Sequence, residues 1–304
     1  MWFKNAIFYR FTQPFDYTPE ALEEKLSEKA FTPCGSQELS RFGWVSPSGG
    51  LSDMLVHSGN GFMLIAAQKE DKIIPSQVIR QQLDNRVKVI EDEQARKVYK
   101  KEKDQLKDEI VLDLLPRAFS KFQTTWALIA PQQNLLIVDA SSHNRAEELL
   151  SHLRSLLGSL PVVLPDVNQS PSAVMSNWLE QPGERYTGLE PMDECELRDS
   201  AVETGIIRCK GQDLDSDEIR HHLEAGKRVV KLALEWQESL NFILQDDLCI
   251  KRIKLSDQLK EKLDQDSTDE AFAQFDAEFV QMSLELTRLI PALTEAFGGE
   301  AQRP

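Results

Sequence analysis

A chain of 304 residues can bury a substantial core and, at ~150 residues per domain, suggests about two domains that need no disulfide or metal staple. A formal net charge of −15 speaks against a uniformly cationic nucleic-acid coat, and a mean hydropathy of −0.39 without any run of ~20 apolar residues excludes a helical membrane span. Cys34, Cys195, Cys209 and Cys249 stand singly, without the close pairs of metal knuckles or small disulfide frameworks. Reduced thiols, no metal or other cofactor, and a cytoplasmic location are expected; Arg10 also interrupts the N-terminal apolar run before an export signal can form.

Residues 2 to 11, WFKNAIFYRF, carry the aromatic and β-branched types of a strand. Thr18 followed by Pro19 predicts a capped helix through Leu22 and Leu26, broken at Thr32-Pro33-Cys34-Gly35. Short strands are predicted near Gly43-Trp44-Val45 and Met54-Leu55-Val56, and another over Gly61 to Ala67 after the Asn60-Gly61 turn. From Pro75 to about Phe119 there is no glycine, and strong helix formers alternate with charges. Leu83, Val87, Ile90 and Val98 form one stripe, whereas Leu106, Ile110 and Leu114 form a second, rotated away from it. A break near Tyr99 to Asp104 is therefore expected, giving two helices of a projecting hairpin.

Strands over Thr124 to Ile129 and Leu135 to Val138 flank the turn Gln132-Gln133-Asn134. A helix with Leu149, Leu150, Leu153, Leu156 and Leu157 ends at Gly158, and the proline-rich stretch Pro161 to Pro171 reads as a boundary. Beyond it come a helix near Trp178, strands near Leu189 and over Gly205 to Lys210, and a long helix from Ser216 to about Gln237. A hairpin of Asn241 to Leu244 with Cys249 to Ile253 follows, then a terminal helix carrying Phe279, Met282, Leu286, Leu289, Ile290 and Leu293. The predicted class is α+β: an antiparallel-sheet domain of residues 1–74 plus 120–165, an inserted helical hairpin of 75–119 as a tip, and a second α+β domain of 166–304 as a base.

No phosphate-cradling glycine loop or serine nucleophile elbow is present. His221-His222 point to different faces of a helix and read as ordinary surface histidines. Glu91-Asp92-Glu93 and Asp246-Asp247 would hold Mg²⁺ only if carboxylates converged from separate elements; a solvated helix face and a turn are the simpler reading.

Residues 86 to 121 hold ten basic against eight acidic side chains, and residues 94 to 107 six against two. Arg96, Lys100 and Lys103, at i, i+4, i+7, share one helical face able to follow phosphates, though charged helices are usually just solvated; Lys107 extends the row only if the helix is unbroken. Two smaller groups are Lys227-Arg228 with Lys231, and Lys251-Arg252 with Lys254, where strand alternation would separate Lys251 from Arg252 and Lys254. No aromatic ladder interleaves with these charges, which favours duplex held by its backbone over base stacking.

The opening Trp2-Phe3-Lys4-Asn5, the segment Ala30-Phe31-Thr32-Pro33-Cys34-Gly35-Ser36-Gln37 and the run Leu114-Leu115-Pro116-Arg117-Ala118-Phe119-Ser120 match a known pattern. So do Gly158-Ser159-Leu160-Pro161-Val162-Val163 and the final Gly298-Gly299-Glu300-Ala301-Gln302-Arg303. Over nearly its whole length the chain closely resembles the recombination-associated RdgC family. The resemblance implies a horseshoe-shaped subunit that pairs at both ends into a ring-shaped homodimer. Double-stranded DNA would pass through a positively charged hole, with single-stranded DNA as a further ligand. It also implies a nucleoid-associated regulator that antagonises RecA and has no catalysis of its own. A basic lining inside an acidic outer wall would reconcile DNA binding with the net charge. The DNA-contacting set is then Arg96, Lys97, Lys100, Lys101, Lys103, Lys107, Arg117 and Lys121, with Lys227, Arg228 and Lys231 in the base. By the same resemblance Phe119 meets its symmetry mate at the tip, the alternative being a local core contact. Lys210 and Gln212 belong to the second contact, where Gly211 stands in a place that can hold a lysine. Readings from other classes are a metal-dependent nuclease and an acidic protein-binding adaptor.

Overall fold

The computed structural model describes residues 2–199, 205–265 and 270–301. Its first sheet grows from nearly continuous apolar runs. It takes in Ile7–Phe11 (β1), Ser40–Val45 (β2), Val56–Gly59 (β3), Phe62–Ile73 (β4), Phe119–Ala130 (β5), Leu135–Val138 (β6) and Val162–Val163 (β7). The lateral order is β2-β4-β5-β6-β1-β7, with β3 on β4. β1 and β6 are buried along almost their whole length, as central strands must be, and pair antiparallel from Ile7↔Val138 to Arg10↔Leu135. The helices of this half are Pro19–Ser27 (α1), Ser76–Gln94 (α2), Lys100–Leu114 (α3) and His143–Leu157 (α4).

The second half alternates Pro171–Glu180 (α5), Leu189–Asp199 (β8), Ile206–Lys210 (β9), Asp217–Glu224 (α6), Lys227–Trp236 (β10), Leu240–Gln245 (β11) and Ile250–Leu255 (β12). It ends with Asp257–Gln265 (α7) and Ala271–Ala296 (α8). Its five-stranded sheet has the order β12-β11-β10-β8-β9, and every neighbouring pair is antiparallel. The α+β class with antiparallel sheets is thus as the patterning predicts. No described helix is long and apolar enough to cross a membrane.

By their contacts the residues group into two compact units: 1–25, 46–65 and 125–304 in one, 26–45 with 66–124 in the other. The three-segment division made on sequence cuts the chain at different places. The reason lies in the core of the larger unit, where Phe3, Phe8, Leu128 and Ile137 share one apolar cluster with Trp178, Leu232, Phe242, Phe279 and Leu289. The proline-rich stretch read as a boundary is itself tied in: Val162 and Val163 pair with Phe11 and Arg10, and Val167 bridges to Glu300. Trp178 stacks on Phe297 with ring centroids 5.7 Å apart, fastening the end of α8 to α5.

In the smaller unit α2 and α3 form the predicted helix pair, with Val87 and Ile110 buried between them. The break lies earlier than expected. α2 stops at Gln94, Ala95 takes the left-handed conformation at φ 50, and α3 restarts at Lys100 after Tyr99. Val98 is buried in the link, its N–H given to the Glu91 carboxylate at 2.9 Å. This fixes the rotation between the two apolar stripes.

Two other expectations are corrected. The helix drawn from Ser216 to about Gln237 is α6 followed by strand β10. Gly226, at φ 89, turns the chain in a left-handed conformation open to glycine, and β8 and β11 offer ladder hydrogen bonds on either side of KRVVKLALEW. Apolar runs of that kind suit either period; only the neighbouring strands decide between them. On β12 simple alternation fails because Arg252 sits at φ 51 beside a register shift between Asn241 and Ile243, so Lys251 and Arg252 line the same concavity.

Candidate nucleic-acid interface

Helix α3 sets the first cationic surface. Arg96 is not on it: the residue lies in the link, and its guanidinium grips both oxygens of Glu102 at 2.7 and 2.6 Å. The predicted row of Arg96, Lys100 and Lys103 is therefore replaced by Lys100, Lys103 and Lys107. These are spaced i, i+3, i+7 on an unbroken helix, within an arc of ~60° at ~100° per residue. Lys97 precedes the row and Lys101 lies one position round the helix. All five lysines are exposed, and none has an ion-pair partner among the described residues. Arg117, in the short 3₁₀ turn Leu115–Arg117, and Lys121, on β5, are likewise exposed and unpaired. Three of the five acidic residues of α3 are drawn away from this row, Glu109 and Asp113 to Arg86 of α2 and Glu102 to Arg96, while Asp104 and Asp108 are exposed.

Beside this surface two of the segments that carried the resemblance converge on one buried acid. Glu70 of β4 accepts the Ser120 hydroxyl at 2.5 Å and the Cys34 N–H at 2.7 Å, while Lys72 reaches Glu70 at 3.2 Å and Ser120 at 2.8 Å. The Ser120 hydroxyl first, then the Cys34 N–H and Lys72, hold the Glu70 carboxyl down at about 2 against the opposing effect of burial. The start of β5 is thereby pinned, and with it Phe119, which is 83% exposed. A side chain this exposed makes no local core contact. Tyr99 and Phe122 are also exposed, and Phe122 meets Phe31 edge-on at 6.3 Å between centroids.

The second cationic surface lies on the five-stranded sheet, around a concavity of about 450 Å³ lined by Glu194, Glu196, Arg208, Lys210, Lys231 and Arg252 among others. Here almost every cation already has a partner. Glu196, nearly buried, accepts from Arg198 at 2.8 Å, Arg208 at 3.0 Å and Lys231 at 3.1 Å. Burial alone would push its carboxyl up, but hydrogen bonds from Arg198, Arg208 and Lys231 overcome that and hold it at about 2. Lys227 pairs with Asp199 at 3.8 Å, Arg228 with Glu180 at 3.4 Å, and Arg252 with Glu194. Lys251 donates to the Ser141 carbonyl at 2.8 Å. Lys210 is exposed at the end of β9 and has no ion-pair partner among the described residues. Next to it Gly211 has φ 65, and Gln212 gives its N–H to the Asp193 carbonyl at 3.3 Å. A lysine at position 211 would have room for its Cβ but would carry the backbone strain of a left-handed conformation.

The acidic clusters separate into distinct roles. Glu91 caps the α2–α3 link, and Asp92 and Glu93 are exposed on α2. Asp246 and Asp247 share the β11–β12 turn; burial and the Asp247 charge raise the Asp246 carboxyl, whereas N–H and side-chain hydrogen bonds from Cys249 and one from His143 lower Asp247 against its burial. On α6 His221 is exposed and His222 half-buried. Sequence reasoning missed two constellations, because both join residues far apart in the chain. One is the Glu196 hub. The other is the pairing of cysteines taken as isolated: Cys195 lies opposite Cys209 in the β8–β9 register, and Cys249 lies against His143.

The comparisons with known proteins agree with one another. A family model described as "Putative exonuclease, RdgC" matches residues 1–300. The "Recombination-associated protein RdgC" of Aeromonas hydrophila is 49% identical over 302 residues, covering 99% of each chain. Its namesake in Pseudomonas syringae pv. syringae is 50% identical over 301 residues, 99% of this chain and 98% of that one. The protein of that name in Pseudomonas entomophila is 49% identical over the same shares. With matches of this length and identity, and with two resemblance-bearing segments meeting at Glu70, the chain belongs to the RdgC family.

Proposed function

We propose that this protein binds double-stranded DNA without sequence preference, has no catalysis of its own, and closes around DNA as a ring-shaped homodimer that modulates RecA-dependent recombination in the nucleoid. The observation that carries the reading is the exposed row Lys100, Lys103 and Lys107, with Lys97 and Lys101 beside it, none ion-paired among the described residues, whereas most cations of the five-stranded sheet already face acids. Free ammonium groups in a row contact phosphates and carry no base readout. The exposed Phe119, held on a strand that Glu70 pins through Ser120, supports a self-association contact at the tip, since exposed aromatics on rigid supports anchor interfaces. Family membership supports the ring and the link to recombination.

The test replaces Lys100, Lys103 and Lys107 by Ala and follows DNA affinity against salt. Affinity should fall alike for unrelated sequences, and the slope of log K against log salt should shrink by ~0.9 per lost phosphate contact. A loss confined to one sequence would contradict the proposal. Phe119→Ala should leave the fold intact and shorten retention on circular DNA; unchanged retention on both linear and circular DNA would remove the ring gate. The family description favours one other reading, an exonuclease. DNA degradation in Mg²⁺ that disappears in Asp246→Ala with Asp247→Ala would establish it instead. An adaptor for proteins would show no DNA affinity even at low salt.

A further inference from the structure

Three side chains from two distant segments of the larger unit aim polar atoms at one point. His143 opens α4; Asp247 and Cys249 sit in the turn between β11 and β12. His143 Nε2 lies 3.1 Å from Asp247 Oδ2 and 3.2 Å from Cys249 Sγ, across 104 and 106 residues of sequence. All three donor atoms fall within 4.8 Å of one another. The turn that presents two of them is well held: Leu248 is left-handed at φ 62, its N–H reaches the Gln245 carbonyl at 3.0 Å, and the Cys249 N–H reaches Asp247 Oδ1 at 3.0 Å.

A Cys–His–Asp trio also suggests a thiol nucleophile, and the geometry decides against it. In a catalytic triad the histidine receives the thiol on one ring nitrogen and the carboxylate on the other. Here carboxylate and thiol converge on the same nitrogen, Nε2, while Nδ1 is buried without a partner. Burial and the Asp247 charge also push the Cys249 thiol up to about 12, the reverse of what a nucleophile needs. Convergence on one point from three sides is instead what a cation between the three atoms requires.

We propose that His143, Asp247 and Cys249 form a binding site for a zinc-class divalent transition metal, with a water as the fourth ligand. Imidazole nitrogen, carboxylate oxygen and thiolate sulfur are the donors zinc takes, whereas magnesium and calcium take oxygen alone. The separations of 3.1 and 3.2 Å fall slightly short of the ~3.3–3.6 Å edges set by tetrahedral bonds of ~2.0–2.3 Å, a gap that small side-chain rotations close. Asp247 and His143 are partly exposed, which leaves a solvent side for the water and a route for the ion. Binding replaces the S–H bond by an S–metal bond and releases its proton to solvent, so affinity rises with pH. The ion would fasten the start of α4 to the β11–β12 turn. This site is independent of the DNA-binding reading.

The test uses the full-length protein, reduced and freed of metal with a chelator, titrated with Co²⁺ alone as a spectroscopic probe. One equivalent should bind, with a thiolate-to-cobalt charge-transfer band and the visible bands of a tetrahedral ion. Cys249→Ser should abolish the charge-transfer band, and His143→Ala, a change at a partly exposed side chain, should weaken binding by ~10-fold or more. The double variant Cys195→Ser with Cys209→Ser should keep the band. Zn²⁺ should raise the melting temperature of the wild type but not of His143→Ala, whose melting temperature in chelator should match the wild type's. Absence of the band, its survival in Cys249→Ser, its loss in the Cys195/Cys209 variant, or an unchanged affinity in His143→Ala would overturn the site.

Discussion

Glu70 and Glu196 are both buried acids on strands, both held near 2, yet their surroundings spend positive charge very differently. Around Glu70 a hydroxyl and a backbone N–H do most of the holding, and Lys72 is the one cation drawn in. Around Glu196 two arginines and a lysine are drawn in. The consequence is that in the smaller unit the lysines of α3 remain free for an outside anion, whereas the five-stranded sheet carries more cations but has most of them paired with acids. Counting basic residues in sequence treats both surfaces alike. Their pairing separates them.

The comparison can be broken most severely at the scaffold of the free surface. Ile110, the fully buried residue of α3, anchors the helix that carries the lysine row, and Ile110→Ala should cost ~2–5 kcal/mol of stability in that unit, measured by denaturant unfolding. If the cost is near zero, α2 and α3 are not the packed pair that presents those lysines.

A more direct contrast sets two triple variants side by side. Loss of Lys100, Lys103 and Lys107 should reduce the salt slope of DNA binding by up to ~2.7, and loss of Lys227, Arg228 and Lys231 by clearly less, because those three already face Asp199, Glu180 and Glu196. Equal effects would show that ion pairs on the sheet open for DNA.

The two acids themselves give a pH signature. Each has a folded value of about 2, below the ordinary 4.5, so its stabilisation is complete above ~4.5 and is lost as pH falls through about 2. Unfolding free energy should therefore decline across that window. Glu70→Gln and Glu196→Gln should each flatten part of the decline, as read from denaturant melts at several acidic pH values. A decline of unchanged steepness in both variants would mean that neither carboxylate is held as the contacts imply.

The smallest effect is expected at the end of β9. Gly211→Lys adds a cation next to Lys210 but places a side chain at φ 65, so stability should drop by ~1–2 kcal/mol. The melting temperature gives the cost, and sedimentation or light scattering shows whether the added charge alters self-association.

Much of the architecture was legible in the residues because it depends on local pattern. Apolar runs marked β1, β5 and β6, Thr18 and Pro19 marked the start of α1, and the shift between the stripes of Val87 and Ile110 required a break between two helices. The exact place of that break was not legible, since it rests on Ala95 turning left-handed and on Glu91 catching the Val98 N–H. With it moved the cationic row, from Arg96 to Lys107. Strand β10 was read as helix because its identity depends on its ladders, one of them to β8, which lies far back in the chain, and the apolar run itself suits either period.

Composition, periodicity and turn chemistry thus determined the α+β class, the helical pair in the smaller unit and which segments are basic, because each is a property of residues a few positions apart. Tertiary structure alone decided which basic side chains are free, that Cys34 and Ser120 meet on Glu70, and that His143 meets Asp247 and Cys249. Those outcomes depend on where a buried carboxylate finds its partners, and electrostatic satisfaction is settled by distance in space, not by spacing along the chain.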